Sequence, residues 1–202
     1  MSIRLLLADD QALVRGALAA LLALEPDLEV VAELGDGTAV AATVAEHRVD
    51  VALLDIDMPG LDGIEAARAI AAGGTGCRSL IVTTFGRPGY LRRALEAGAS
   101  GFVVKDTPAG QLAEAVRSVH AGNRVVDPSL AAETLVSGTN PLTDREREVL
   151  RAAQGGSSVR QIAATLFLSP GTVRNHLSSA IGKTHTANRT EAALTARDRG
   201  WL

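Results

Sequence analysis

Asp9, Asp10, Asp55, Thr83 and Lys105 end or follow short apolar runs. Together they supply three carboxylates, one hydroxyl and one ammonium. Asp55 is the most telling. It follows Val51–Leu54 and leads into Ile56-Asp57-Met58-Pro59-Gly60, a turn signal. Asp is depleted in strands, and burying its charge is costly without a cation or hydrogen bonds, so an Asp at this position points to chemistry rather than packing. Each residue also has an ordinary reading: Asp9-Asp10 as a turn after a strand, Lys105 as a solvated loop lysine, Thr83 as nothing in particular. What argues for a site is that all of them close apolar runs of one repeating pattern. Three converging carboxylates repel one another and call for a divalent cation. All-oxygen donors of this kind suit Mg2+, which takes one or two carboxylates plus waters and a phosphate oxygen.

The elements that must carry these residues alternate along the first 125 positions. Apolar runs at Ile3–Ala8, Glu29–Ala32, Val51–Leu54, Ser79–Val82 and Gly101–Val104 read as strands. Gln11–Leu24, Thr38–His47, Gly63–Ala72, Pro88–Ala97 and Pro108–Ala121 read as helices. Five strand–helix units imply a parallel sheet with helices on both faces, and the continuous apolar character of the runs fits strands buried on both sides. Gly98, Gly101 and Gly122 stand where helices would end. In such a sheet, sites form beyond the carboxyl ends of the strands where strand order reverses.

Residues 123–140 lose this pattern. Asn123, Pro128, Gly138 and Asn140 punctuate them, with a short helix expected at Ser129–Val136. We read domains at 1–122 and 141–202, joined by a linker at 123–140. Charge follows the same division: 11 Lys/Arg against 16 Asp/Glu in residues 1–126, none against 2 in 127–140, and 9 against 5 in 141–202. A basic tail suits a polyanionic partner. The tail reads as all-helical. Thr143 and Glu146 form a capping box for a helix reaching about Gln154, Val159–Leu166 forms a second, Ser169-Pro170 opens a third, and a fourth runs from about Thr190 to Arg199. The second and third flank the tight Leu168-Ser169-Pro170 turn, which reads as helix-turn-helix. Thr172, Arg174, Asn175 and Ser178 would face DNA, with Ser169 at the turn, while Val173 and Leu177 face the core. Arg174 suits guanine and Asn175 adenine, or either could grip phosphate.

Composition narrows the class further. Hydrophobic residues make up 47%, enough for a core, whereas aromatics at 2% argue against a stacking platform for single-stranded nucleic acid. The lone Cys77 excludes an internal disulfide and fits a reducing compartment. The opening apolar run is too short for a signal peptide or membrane span, so we expect a cytoplasmic protein without membrane insertion.

On Ala8-Asp9-Asp10, Asp55-Ile56-Asp57-Met58-Pro59-Gly60, Thr83 and Lys105, the first part resembles a response-regulator receiver domain. The resemblance implies a flavodoxin-like, doubly wound, five-stranded α/β fold, followed here by a small all-α domain. It implies that Asp55 accepts a phosphoryl group from a sensor histidine kinase, and that Asp9, Asp10, Asp55 and the backbone carbonyl of Asp57 hold Mg2+. Lys105 and Thr83 would bond phosphoryl oxygens, and Phe102 would be the aromatic switch that follows Thr83. Residues 141–202 resemble a LuxR-type DNA-binding domain of the NarL/FixJ family, through Leu142-Thr143-Asp144-Arg145-Glu146, Ile162-Ala163, Thr172-Val173-Arg174-Asn175-His176 and Asn188-Arg189-Thr190-Glu191-Ala192. Thr83-Thr84-Phe85-Gly86-Arg87-Pro88-Gly89-Tyr90 is similar to the DesR-type branch. Thr184 departs from the pattern, which has an apolar residue there, and is expected to weaken packing between the third and fourth helices of the tail.

The function implied is a non-enzymatic, DNA-binding regulator controlled by phosphorylation. It would form a homodimer through helices 11–24 and 108–121, where Leu18, Leu21, Leu112 and Val116 offer apolar surface. Two other readings compete. A constitutive DNA-binding protein with an idle receiver would keep the pocket without using it. A haloacid-dehalogenase-like phosphatase also places Asp-x-Asp after a buried strand, but it carries that motif on its first strand and leaves the basic tail unexplained.

Overall fold

The computed structural model describes residues 2–84, 88–127, 130–131 and 140–202. The chain divides into two compact units, the larger drawn from residues 1–86 and 91–132 and the smaller from 87–90 and 133–202.

The first part of the chain forms β1 (Ile3–Ala8), α1 (Ala12–Leu22), β2 (Leu28–Leu34), α2 (Val40–Glu46), β3 (Val51–Leu54), α3 (Gly63–Gly73), β4 (Arg78–Thr83), α4 (Pro88–Glu96), β5 (Gly101–Val104), α5 (Ala109–His120) and β6 (Val125–Val126), all of which belong to the larger unit except the first three residues of α4. Sheet order is β2-β1-β3-β4-β5-β6, and every pairing is parallel. Parallel neighbours require the helical crossovers that the alternating sequence pattern supplies. Order reverses between β1 and β3, which places a crevice at their carboxyl ends.

The sequence reading stops at five strands; among the described residues the sheet has six. Val125 and Val126 pair with Gly101 and Phe102. A two-residue edge strand is too short to carry a periodic signal. Gly101, read as a helix end, instead opens β5. A Cβ there would sit 2.6 Å from Leu80 Cδ1 and 3.0 Å from the Val125 carbonyl oxygen, so the close approach of β6 requires glycine. The helix expected at Ser129–Val136 lies almost wholly outside the described residues, as do Phe85, Gly86 and Arg87 of the branch motif.

Alternation along the strands builds two cores. Leu5, Leu7, Val51, Leu53, Leu80, Val82 and Val103 point to one face, where α1 and α5 cover them with Leu22, Leu112, Val116 and Val119. Leu6, Ala8, Ala52, Leu54, Ile81 and Phe102 are buried from the other side, where α3 packs on β3 and β4, with α2 against α3. Each fully buried leucine contributes about 1.5–3 kcal/mol relative to an exposed one. This arrangement corrects the expected dimer surface. Leu112 and Val116 belong to the core under α5 and are not surplus apolar area, and Leu18 is partly buried against the same cluster. The apolar side chains that α1 and its C-terminal end leave in solvent are Leu13, at 87% exposure, Leu21 and Leu24. Arg117 of α5 ties this side together, donating to both carboxylate oxygens of Asp27 at 2.7 and 2.8 Å and to Glu25 at 2.6 Å.

The smaller unit holds α6 (Asp144–Ala153), α7 (Val159–Thr165), α8 (Pro170–Thr184) and α9 (Arg189–Asp198). Its core gathers Leu142, Val149, Leu150, Ile162, Val173, Leu177, Ala180, Ala192, Ala196 and Trp201. Thr143 and Glu146 form the expected capping box on α6. A second box, Ser158 with Gln161, opens α7. Ser169 caps α8, with Pro170 in the first turn. Among the described residues no helix is long and apolar enough to cross a membrane.

Candidate functional site

Register brings the acidic residues together. Ala8 lies opposite Leu54 across the β1–β3 pair, so Asp9 and Asp55 emerge side by side at the strand ends, and Asp55 N donates to the Ala8 carbonyl at 2.8 Å. On the far side, Val104 lies opposite Thr83, and Lys105 N donates to the Thr83 carbonyl at 2.7 Å. The next turn is held down by Gly63, whose N donates to the Ile56 carbonyl at 3.1 Å. A Cβ on Gly63 would fall 1.9 Å from the Asp55 carbonyl oxygen, so only glycine lets α3 start this close to the site. Asp62 caps that helix by accepting from Glu65 N at 2.8 Å.

One carboxylate oxygen from each of Asp9, Asp10 and Asp55 lies within 4.8 Å of the other two. Asp9 and Asp55 are buried and Asp10 is exposed. Lys105 Nζ, itself buried, pairs with Asp9 Oδ2 at 2.7 Å and Asp55 Oδ2 at 3.1 Å. Asp9 is fixed from several sides. Its Oδ1 accepts from Gln11 N at 2.9 Å, its N donates to the Leu34 carbonyl, and its own carbonyl accepts from Arg15 Nη1. One ammonium against three carboxylates leaves the cluster at a formal −2, and the exposed Asp10 opens it to water. A hard, hydrated dication fits that donor set.

Burial is the largest influence on Asp55 and raises its carboxyl pKa; Lys105 pulls the other way and Asp9 adds to the rise. Burial alone would lower the Lys105 pKa, but its pairings with Asp9 and Asp55 outweigh it and hold the ammonium above its ordinary value. Lys105 therefore stays charged beside Asp55. Thr83 is buried at the end of β4, and Phe102 is fully buried in β5. Asp57 is exposed in the turn after β3.

In the smaller unit, Val173, Leu177, Ala180 and Thr184 face inward along α8, while Arg174, Asn175 and Ser178 face solvent. Ser169 Oγ accepts from Thr172 N at 3.1 Å and lies 2.9 Å from Thr172 Oγ1, so these two hydroxyls are already engaged in the cap. The departure at Thr184 is chemically satisfied: its hydroxyl donates to the Ala180 carbonyl at 2.8 Å and contacts Thr186 Oγ1 at 2.9 Å. The sequence reading missed the link between α6 and α8. Glu146 Oε1 accepts from Ser179 at 2.7 Å, and Lys183 Nζ lies 3.0 and 2.8 Å from its two oxygens. Burial opposes that charge, but the bonds from Lys183, Ser179 and Thr143 hold its pKa down at about 2. The capping box exposed one role of Glu146; nothing local could reveal partners more than thirty positions away.

A parallel sheet of this order, with an acidic crevice facing a buried lysine, and a helix-turn-helix unit together define a class. Residues 5–117 match the family model for the response regulator receiver domain, and residues 140–196 match that for bacterial regulatory proteins of the luxR family. The chain belongs to the two-component response regulators with a LuxR-type DNA-binding domain, which makes it a transcription regulator and not a phosphatase. It is 44% identical over 200 residues, 99% of each chain, to the transcriptional regulatory protein DesR of Bacillus subtilis. It is 36% identical to the DNA-binding transcriptional activator DevR/DosR of Mycobacterium tuberculosis, across 97% of this chain and 94% of that one. The crystal structure of response regulator ChrA, from a heme-sensing two-component system, aligns with 100% of this chain and 99% of its own at TM-score 0.61 and 38% identity. A structure of two RcsB dimers bound to two parallel DNAs aligns with 98% of this chain and 99% of its own at TM-score 0.69 and 25% identity. Within the class, the chain falls in the DesR branch of the NarL-type regulators.

Proposed function

We propose that Asp55 is the phosphoacceptor of this regulator and that its phosphorylation controls promoter binding by the C-terminal helix-turn-helix. The observation that carries this reading is the convergence of Asp9, Asp10 and Asp55 on one point with Lys105 bridging Asp9 and Asp55. A sensor histidine kinase would be the phosphoryl donor. Asp9, Asp10, Asp55 and the Asp57 carbonyl would hold Mg2+, which supplies charge neutralisation at the transferring phosphoryl group. Asp55 attacks phosphorus through a carboxylate oxygen, and the P–N bond to the kinase histidine breaks. Lys105 leaves its pairing with Asp55 to meet a phosphoryl oxygen, and the Thr83 hydroxyl bonds another. Phe102, already buried in β5, would be held there as Thr83 moves, which carries the change across the sheet.

The output would be a homodimer, assembled through helices 11–24 and 108–121, with Leu13, Leu21 and Leu24 as its exposed apolar contacts. Two helix-turn-helix units would then bind half-sites about 10 bp apart in double-stranded promoter DNA. Ser169, Thr172, Arg174, Asn175 and Ser178 would make the contacts, with Ser169 and Thr172 acting through the cap they share. Residues 1–122 would form the receiver and 141–202 the DNA-binding domain, with 123–140 joining them and lending β6 to the sheet. A cytoplasmic location suits both partners. Moving the switch from 1:99 to 99:1 takes about 5.5 kcal/mol of differential stabilisation, to which dimer formation contributes.

Light scattering tests the reading. With Mg2+ and the phosphoryl mimic beryllofluoride, the wild type should double in mass and Asp55→Ala should not. Equal masses with and without beryllofluoride would remove dimerisation as the output.

A further inference from the structure

Phe167 combines two features that folded chains ordinarily avoid. Its ring is 96% exposed, the most exposed of the large hydrophobic side chains among the described residues. Its backbone φ is +55°, in the left-handed region where a bulky residue is an outlier. It stands just past the end of α7. Leu168 N donates to the Ala163 carbonyl at 2.8 Å, and Phe167 N donates to the Ala164 carbonyl at 3.4 Å. This is the Schellman arrangement, whose left-handed position glycine usually fills. Other helix ends keep that habit, with Gly98 after α4 and Gly122 after α5 both at positive φ. At position 167 glycine would relax the backbone and remove exposed apolar surface. Folding does not explain the phenylalanine.

Its setting does point to an occupant. The turn is held firmly: Arg145 Nη2 donates to the Leu166 carbonyl at 3.1 Å, and Ser169, two residues on, caps α8. The ring therefore projects from a fixed scaffold at the N-terminal end of α8, the end that helix-turn-helix geometry delivers to the major groove. From Val159 through Gly182 there is no acidic residue, while Arg160 and Arg174 are basic and exposed; the acids on α6 nearest this face are already paired, Glu148 with Arg145 and Glu146 with Lys183. The surroundings thus complement a polyanion rather than an acidic or mixed protein surface.

Resting on the DNA-binding reading above, we propose that Phe167 is a DNA-contact residue. Its ring packs on the apolar edge of the duplex where α8 enters the groove. That edge offers deoxyribose carbons and the thymine methyl, and phenylalanine is among the side chains that contact the latter.

Phe167→Gly and Phe167→Asn, in the full chain with Mg2+ and beryllofluoride, test this. The probe is a short duplex selected from a random pool by the wild type. Both substitutions tolerate the left-handed backbone, so domain stability, followed through Trp201 in urea, should hold or rise. Affinity should nonetheless fall about tenfold, the equivalent of losing one ring's apolar burial. Plots of log affinity against log salt should stay parallel to the wild type, since no phosphate charge is surrendered. Replacing thymine by uracil separates the two edges. A loss confined to the wild type assigns the thymine methyl, and no loss with an equal deficit on unrelated duplex assigns deoxyribose; both support the proposal. Variants within about twofold of the wild type would overturn it and give the ring to a protein partner; a flatter salt slope would overturn it too. Failure of the wild type to select any duplex would instead overturn the DNA-binding reading, and this proposal with it.

Discussion

Glu146 offers a sharp test of how α8 is held. Its carboxylate accepts from Thr143 N at 2.7 Å, closing the cap of α6, and from Ser179 and Lys183 on α8. Glu146→Gln keeps the shape and part of the hydrogen bonding but removes the charge. The side chain is buried, and its pKa is held at about 2 against an ordinary 4.5. At 1.36 kcal/mol per unit, that difference corresponds to about 3 kcal/mol of native-state stabilisation at neutral pH. The Lys183 side chain is 35% exposed, so water screens part of this, and the expected loss is about 2 kcal/mol. Because the folded pKa is depressed, the stabilisation is complete above the unfolded value and disappears as pH falls from about 4.5 through about 2. The chain's single tryptophan, Trp201, lies in the core of this unit and reports its unfolding alone. With a urea slope of roughly 1 kcal/mol/M for a small domain, the midpoint at pH 7 should drop by about 2 M, and the gap between wild type and variant should shrink by about half by pH 3 and close near pH 2. A midpoint change under about 0.5 M at pH 7, or a difference that persists unchanged at pH 3, would refute the reasoning.

Three further outcomes are expected. Lys105→Met should slow phosphorylation by acetyl phosphate about a hundredfold, read by mass shift, because it removes the fixed cation that meets the transferring group. Affinity of the beryllofluoride form for duplex DNA should fall about a hundredfold between 0.05 and 0.2 M salt, as for about four phosphate contacts, and a flat response would count against the groove-binding face. His185 ends α8 at φ +53°, so His185→Gly should raise the urea stability of the C-terminal unit by about 0.5–1 kcal/mol; a loss would show that the imidazole makes a stabilising contact.

Much of the architecture was legible because the chain signals it locally. Continuous apolar runs such as Val51–Leu54 and Gly101–Val104 have the bounds of the observed strands, since strands buried on both faces leave no room for polar residues. The pocket could be read because its members share a topological address, the strand end, and register does the rest. What stayed hidden was set by tertiary context. Val125–Val126 forms a strand only because β5 offers a free edge. Leu112 and Val116 show the apolar spacing of a helix face, but spacing does not tell how far the core extends across that face. At Thr184 the sequence showed the polar departure but not its partner, the Ala180 carbonyl four residues back, which takes up the hydroxyl. Phe167 was passed over because a phenylalanine between helices reads as buried until its exposure is seen.

The central claim is that Asp55 governs DNA binding. It is tested most directly by measuring affinity for a selected duplex with the full chain in Mg2+, with and without beryllofluoride, for the wild type and Asp55→Ala. The account predicts at least tenfold tighter binding on adding beryllofluoride to the wild type, about 1.4 kcal/mol or more, and no change for the variant. Equal wild-type affinity in both conditions, or the same gain in Asp55→Ala, would contradict it.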